Sequence, residues 1–173
     1  MATGRPGEHE YVPYHARYVS LVGEDDAIAA LAGQQDEVRR LVSSVPPERE
    51  TYRYAPGKWS VREVLGHLVD SERVLGYRAY CISRGELAAL PAFDENAYVA
   101  ASRYDEIPVL ELGRELLAVR GVNLLALRRL DSAAWARMGI ASGKPISVRA
   151  LGFVMAGHLQ HHVAILLDRY GIV

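Results

Sequence analysis

The chain has 173 residues, half of them apolar and 24% charged, which suffices for one soluble domain that buries its own core. Its formal net charge of −1 excludes the strongly basic surface typical of nucleic-acid-binding domains. No apolar run approaches the ~18 residues of a membrane span, and the polar N-terminus lacks the apolar region of a signal peptide. We therefore expect a cytoplasmic protein that partners neither nucleic acid nor membrane.

Helical periodicity, together with helix start and stop signals, predicts four long helices. They span Glu24 to Val45, Ser60 to Arg84, Pro108 to Leu130 and Ser147 to Tyr170. Ser60 and Glu63 form a capping box at the start of the second helix, and Gly171 ends the fourth. No alternating strand pattern is longer than a few residues. The predicted fold class is therefore all-α, a single four-helix bundle over residues 1–173.

Two further segments lie outside these helices. The connector from Leu87 to Ile107 is long for a loop, and residues 95–102 within it could form a short helix; connections of this length often cover a binding site. The first 23 residues carry Tyr11, Tyr14 and Tyr18. Because such an aromatic arm would not favour solvent, we expect it to pack on the bundle surface.

Three histidines suggest a metal site. His158 and His162 are four residues apart, which places both side chains on one face of a helix. They continue an apolar seam through Leu151 and Met155 whose steps of four and three face a partner helix. His67 lies on a similar stripe of the second helix. Three neutral imidazoles leave an open position on a divalent ion, as catalytic sites do, and zinc or nickel fits such ligands.

The alternative is that each of these histidines is an inward residue satisfied by a protein hydrogen bond, since the sequence does not prove that the two helices are adjacent. His161 is a competing ligand because it lies three residues from His158, although it falls off the seam. We read His161 as a surface or supporting residue.

Catalysis also needs groups that handle protons and contact the substrate. Asp70, Glu72 and Asp94 are candidates for a general base, and Asp70 could equally accept a ligand's spare N–H or remain a solvated charge. Asp94 and Tyr98 are expected to give polar contacts in a pocket over the metal, with Trp59 and Phe93 nearby. The alternative for these aromatic residues is an ordinary packing role. The predicted catalytic set is Asp70, Asp94 and Tyr98.

The residues around these histidines resemble the DinB/YfiT-like superfamily of bacterial metal-binding four-helix bundles. The resemblance rests on Gly57-Lys58-Trp59-Ser60, on Leu65-Gly66-His67, on residues 90–98 and on the later pair in Ala156–Leu166. It implies that His67, His158 and His162 bind the metal with water completing the sphere. It also implies a bundle that is not simply up-and-down, and frequent homodimers. At position 15 the chain has histidine where close relatives tend to have tyrosine.

The resemblance implies two enzymatic functions, and a non-enzymatic function is the third alternative. The first is a metal-dependent hydrolase of a small molecule. The second is a transferase that joins a low-molecular-weight thiol, such as bacillithiol or mycothiol, to an electrophile; Arg17, Lys58 and Arg149 would be its cationic candidates for a charged cofactor. The third is a metal-binding stress-response protein without turnover. The two enzymatic functions share a Lewis-acidic ion that lowers the pKa of water or of a thiol.

Overall fold

The computed structural model describes residues 3–172, and helices form most of its frame. In chain order the helices are α1 (Pro13–Val19), α2 (Ala27–Ser44), α3 (Val61–Ser83), α4 (Glu95–Ala101), α5 (Val109–Leu127), α6 (Ser132–Trp135) and α7 (Val148–Tyr170). Single turns of 3₁₀ helix lie at Glu8–Glu10, Pro47–Arg49 and Tyr104–Glu106. The strands are β1 (Met138–Ala141) and β2 (Lys144–Ser147). The four long helices α2, α3, α5 and α7 confirm the predicted bundle.

The helices of the bundle are not arranged as a simple up-and-down series. Both α2 and α3 pack principally against α5 and α7, so α2 and α3 lie diagonally across the bundle although they are consecutive. The pairing of α3 with α7 matters most for function, because it brings the helix of His67 beside the helix of His158 and His162.

Local capping fixes where these two helices begin. The Ser60 hydroxyl accepts a hydrogen bond from the Glu63 amide at 3.1 Å, and the Glu63 carboxylate accepts one from the Ser60 amide at 2.8 Å. The Ser147 hydroxyl likewise accepts from the Ala150 amide at 2.9 Å at the start of α7. These bonds satisfy amides that have no partner within the helix. They set the register in which the histidines face each other.

The β-hairpin was not expected, since the sequence analysis found no strand. β1 pairs with β2 in antiparallel register. The two turn residues, Ser142 and Gly143, have φ values of 52° and 71°, which is the positive-φ pair of a type I′ turn. The connector joins the hairpin, because the Leu90 amide donates to the Ile140 carbonyl at 2.8 Å and the Ser142 amide donates to the Leu90 carbonyl at 3.1 Å.

The α7 helix is long and apolar enough to cross a membrane by length and composition alone, with a mean hydropathy of 1.3. In the structure 56% of that apolar window is buried inside the bundle. Burial of this kind is what a core helix shows, so the composition of α7 is explained by its central position.

The interior is divided into two apolar clusters, one towards each end of the bundle. One cluster contains the first half of α7 and the C-terminal parts of α3 and α5. The other contains the second half of α7 and the N-terminal parts of α3 and α5. Between them lies a layer of polar side chains, which we call the polar layer; it consists of Gln34, His67, Ser71, Glu72, Arg120, Asn123 and His158.

A buried ion pair forms one half of the polar layer. The Arg120 guanidinium donates to both carboxylate oxygens of Glu72 at 2.8 Å. It also donates to Gln34 Oε1 at 2.9 Å and to the Leu31 carbonyl at 3.2 Å. Asn123 donates to the same Glu72 carboxylate at 2.9 Å. The protein therefore supplies partners to both charges, as buried ions require.

We expect Arg120→Ala to lower the free energy of unfolding by about 3–5 kcal/mol, because it leaves the Glu72 carboxylate buried without its counter-ion. The control is Arg73→Ala, which removes an exposed ion pair with Glu115 and should cost at most about 1 kcal/mol. Urea denaturation followed by circular dichroism measures both. Equal losses in the two variants would contradict the importance of the buried pair.

Candidate metal centre

The three predicted ligands converge where α3 meets α7. His67 Nε2 lies 3.1 Å from His158 Nε2. The ring centroids of the three histidines are 4.6–4.9 Å apart, and one nitrogen from each ring lies within 4.8 Å of the others. His67 is buried, whereas His158 and His162 are partly exposed. The helices that the sequence could not prove to be adjacent therefore bring these side chains together.

The rings have few polar neighbours apart from one another. Within residues 3–172, the Nε2–Nε2 contact is the one hydrogen-bond contact that any of the three side chains makes. The buried Nδ1 atoms of His67 and His162 have no partner in that part of the chain. A desolvated polar group without a partner is costly, so this cluster lacks the compensation that the fold gives Arg120 and Glu72.

Desolvation keeps all three imidazoles neutral, the form that binds a metal. It lowers the pKa of His67 to about 4 and, with the charges of neighbouring groups, the pKa of His162 to about 3. The pKa of His158 is also well below the ordinary range, chiefly through desolvation.

The donor set fits one divalent ion. Nitrogens bound to a common ion at about 2.0–2.1 Å lie about 2.8–3.4 Å apart at angles between octahedral and tetrahedral, and the observed Nε2–Nε2 distance is 3.1 Å. The group His67, His158 and His162 could therefore hold a metal, and neutral imidazoles suit zinc, nickel and similar ions.

Aromatic residues enclose the histidines on two sides. α1 lies so close to α7 that a Cβ added at Gly157 would fall 2.0 Å from the Tyr18 carbonyl oxygen. This approach places the Tyr18 ring against His158 and His161, with centroid distances of 5.5 and 5.7 Å. Trp59 packs on His67 at 4.8 Å. The N-terminal arm thus packs on the bundle beside the metal centre.

The centre opens into a cavity of about 590 Å³. Its walls come from α1, α3 and α7, from the hairpin and from the start of the connector helix α4. Phe93 and Glu95 are the connector residues that line it. The ionisable side chains on its surface, apart from the three converging histidines, are Tyr14, His15, Arg17, Tyr18, Arg78, Glu95, Lys144 and His161.

The structure gives each of the predicted catalytic residues another contact, and none of the three lines this cavity. Asp70 interacts with the Tyr104 hydroxyl, and the pKa of Asp70 is raised, chiefly by burial. Asp94 caps α4, its carboxylate accepting from the amides of Asn96 and Ala97 at 2.9 and 3.1 Å. Tyr98 is 48% exposed and packs on Phe93. Their catalytic roles stay predictions.

The other residues that the sequence suggested for the site also differ in whether they line the cavity. Glu72 is committed to Arg120, and Arg149 pairs with Glu10 at 3.2 Å. Lys58 is exposed outside the cavity. Arg17 does line the cavity, and its guanidinium donates to the Tyr18 hydroxyl at 2.7 Å. His161 also lines the cavity but lies outside the converging group.

Sequence reasoning gave no role in the site to several residues that line the cavity: His15, Ser71, Arg78, Ser142 and Lys144. One signal was available for the hairpin, because Ser142-Gly143 is a turn dipeptide between two short runs that could form strands. Arg78 could have been placed by spacing, since it lies on the same face of α3 as His67 and Ser71. Nothing in the sequence pattern around His15 indicates its position.

Comparisons with known proteins agree with this architecture. The model of the DinB superfamily matches residues 30–166. Among solved structures, the chain is similar to YfiT from Bacillus subtilis, described as a probable metal-dependent hydrolase with an unusual four-helix bundle topology. That match has a TM-score of 0.75 and 20% sequence identity, and it covers 97% of this chain and 94% of that chain. No curated protein matches the sequence.

We expect the Tm of the metal-free protein to fall as the pH drops from 7 towards 4. His67 and His162 have lower pKa values in the folded chain than the ordinary value of about 6.5, so the unfolded chain takes up protons first. Stability present above pH 6.5 is therefore lost as the pH falls towards the folded-state pKa. For His67 alone the loss is on the order of 2 kcal/mol between pH 6.5 and 5.

Calorimetry of the wild type and of His67→Leu measures this dependence. The variant should show a shallower fall between pH 6.5 and 5, because it lacks one titrating ring. The control His9→Gln, which changes an exposed histidine, should follow the wild type. Identical slopes in all three proteins would contradict the lowered pKa of His67.

Proposed function

The chain belongs to the DinB superfamily, and on that premise we propose that it is a metal-dependent hydrolase that acts on a small molecule. The observation that carries the proposal is the convergence of three neutral imidazoles at the edge of a 590 Å³ cavity. A site of that volume is within the range that holds a small organic ligand. Zinc or nickel is the proposed ion, since both favour imidazole ligands.

The ion, when bound, would supply Lewis acidity, polarising a carbonyl oxygen and lowering the pKa of water or a thiol. The chain supplies the remaining functions. His67, His158 and His162 hold the ion on two rigid helices. Tyr18 and Trp59 limit the approach of solvent to the histidines from two sides. The apolar wall of the cavity, which includes Leu75 and Leu151, receives the body of the substrate.

His15 is the proposed proton acceptor. It lines the cavity. Its Nδ1 atom is buried without a hydrogen-bond partner among residues 3–172, so Nε2 is the nitrogen that would accept the proton. Burial and the charges of Arg78 and Arg17 lower the pKa of His15, so the ring is neutral near pH 7 and can accept a proton from the attacking nucleophile. This role replaces Asp70, Asp94 and Tyr98 in the proposed mechanism because those residues do not line the cavity.

Thiol transfer is the second enzymatic candidate, and the cationic residues of the cavity favour it if the thiol is anionic. Arg17, Arg78 and Lys144 all line the cavity and could contact a charged cofactor. Metal binding without turnover is the non-enzymatic alternative. Homodimer formation and cytoplasmic location stay predictions.

We expect chelator-sensitive hydrolysis of at least one member of a panel of esters, lactones and amides by the zinc- or nickel-loaded protein. His162→Gln should abolish the activity and reduce metal content, because it removes a ligand. His9→Gln, which changes an exposed histidine outside the cavity, is the control and should retain both. His15→Gln should lower kcat by about 10²-fold or more, the usual contribution of a general base, while metal content is unchanged.

The same panel is run with bacillithiol or mycothiol and an electrophile. Metal-dependent thiol conjugation without hydrolysis would overturn the hydrolase in favour of the transferase. Metal binding with neither reaction would favour the non-enzymatic alternative. Hydrolysis that survives both the chelator and His162→Gln would show that the histidine centre is not the active site.

A further inference from the structure

Arg78 is a buried cation without an acidic partner. It is 7% exposed, and no carboxylate pairs with it within residues 3–172. Its Nη2 atom donates to the Pro91 carbonyl at 2.7 Å and to the Ser142 hydroxyl at 2.8 Å. Nε and Nη1 make no hydrogen bond in that part of the chain, although the side chain lines the cavity. Desolvation lowers the pKa of Arg78, as expected for an uncompensated charge.

The other buried arginine shows how this fold treats such a charge elsewhere. Arg120, at 4% exposure, has both oxygens of Glu72 as partners, together with Gln34 and a main-chain carbonyl. A guanidinium is costly to bury unless it is paired. Because Arg78 receives two neutral acceptors and no anion, its remaining donors, which face the cavity, are left to water or to an anionic ligand.

The surroundings of Arg78 also favour an anion. The cavity surface carries three cationic side chains, Arg17, Arg78 and Lys144, against the single carboxylate of Glu95. Glu95 is exposed, and no ion pair joins it to any of the three in the described residues. The hairpin turn contributes directly, because the positive φ of Ser142 belongs to the turn that carries its hydroxyl to Arg78.

We infer that Arg78, with Lys144 at the rim, forms a subsite for an oxyanionic group, a carboxylate or phosphate, on the substrate. The free Nε and Nη1 donors lie on different edges of the guanidinium, so each can give one charge-assisted hydrogen bond to an oxygen of either group. The inference rests on the proposed function only for the statement that the bound molecule is a substrate. The substrate would therefore combine an anionic end with an apolar body and a hydrolysable bond.

The position of Arg78 on α3 separates this subsite from the metal centre. Arg78 lies eleven residues after His67, about 16 Å along the helix axis at about 1.5 Å per residue. His67, Ser71 and Arg78 border one cavity, so one elongated molecule can contact both ends.

The test is a comparison of matched ligands on the full-length chain by calorimetry. The probes are 3-phenylpropionate, 2-phenylethyl phosphate and the neutral 3-phenylpropionamide. Titrations are made with one equivalent of zinc and again after chelation and dialysis, because an anion could otherwise bind the ion itself. We expect one or both anions to bind at least about tenfold more tightly than the amide in both states; the tighter anion identifies the preferred group.

Substitutions test whether the preference for the anionic probes arises at this subsite. Arg78→Gln should abolish it, and Lys144→Gln should weaken anion binding by about two- to fivefold. Lys58→Gln, which changes an exposed lysine outside the cavity, should match the wild type. Because Arg78 also holds the connector and the hairpin, a measurement without mutation is added: the Arg78 Nε–H resonance should shift on addition of the anion and not of the amide.

Equal affinity for the anions and the amide would overturn the inference. So would the absence of binding by any probe at about 10 mM, ten times a Kd of about 1 mM. Anion preference that survives in a folded Arg78→Gln variant, or an unmoved Arg78 resonance, would do so too. A preference seen only with zinc would assign anion binding to the ion. Since the metal-free titrations need no turnover, they can succeed even if the hydrolase proposal fails.

Discussion

Polar side chains buried across the middle of an apolar bundle are the constraint on which this structure depends. The polar layer separates two apolar clusters, and every group in it has to recover the free energy of lost hydration. The Arg120–Glu72 pair does so within the protein. A cavity of only about 10 Å³ lies between that pair and His158, so the satisfied half of the layer supports the unsatisfied half.

The imidazoles of the three histidines, unlike the Arg120–Glu72 pair, do not have protein partners that compensate their burial, and this difference supports a metal-binding role. His67, His158 and His162 have one another rather than protein acceptors, and the side of the cluster away from Glu72 faces the cavity. Segments outside the four long helices complete that cavity. Three contacts bring the N-terminal arm, the hairpin and the connector over the same side of α3 and α7. They are the close approach of α1 at Gly157, the type I′ turn at Ser142 and the bridge from Leu90 to Ala141.

Periodicity and capping predicted the parts of this arrangement that obey local rules. The capping box at Ser60 and the cap at Ser147 fixed two helix starts within a residue, and the i,i+4 spacing of His158 and His162 placed both rings on one face. Contacts between residues that are far apart in the sequence were harder to predict. Asp94 was interpreted as a substrate contact, although its position just before a short helix is also an N-cap signal. Spacing could have placed Arg78 on the helix face of His67, but the absence of a carboxylate partner for Arg78 is visible only in the tertiary structure.

The central claim is that His67, His158 and His162 bind one divalent ion together. X-ray absorption fine structure of the full-length protein, loaded with one equivalent of zinc, tests it most directly because it counts the imidazoles around the ion. The account predicts three imidazole nitrogens at about 2.0–2.1 Å with an oxygen at a similar distance, and a loss of one imidazole in His162→Gln. A spectrum with two or fewer imidazoles, or one that His162→Gln leaves unchanged, would contradict it.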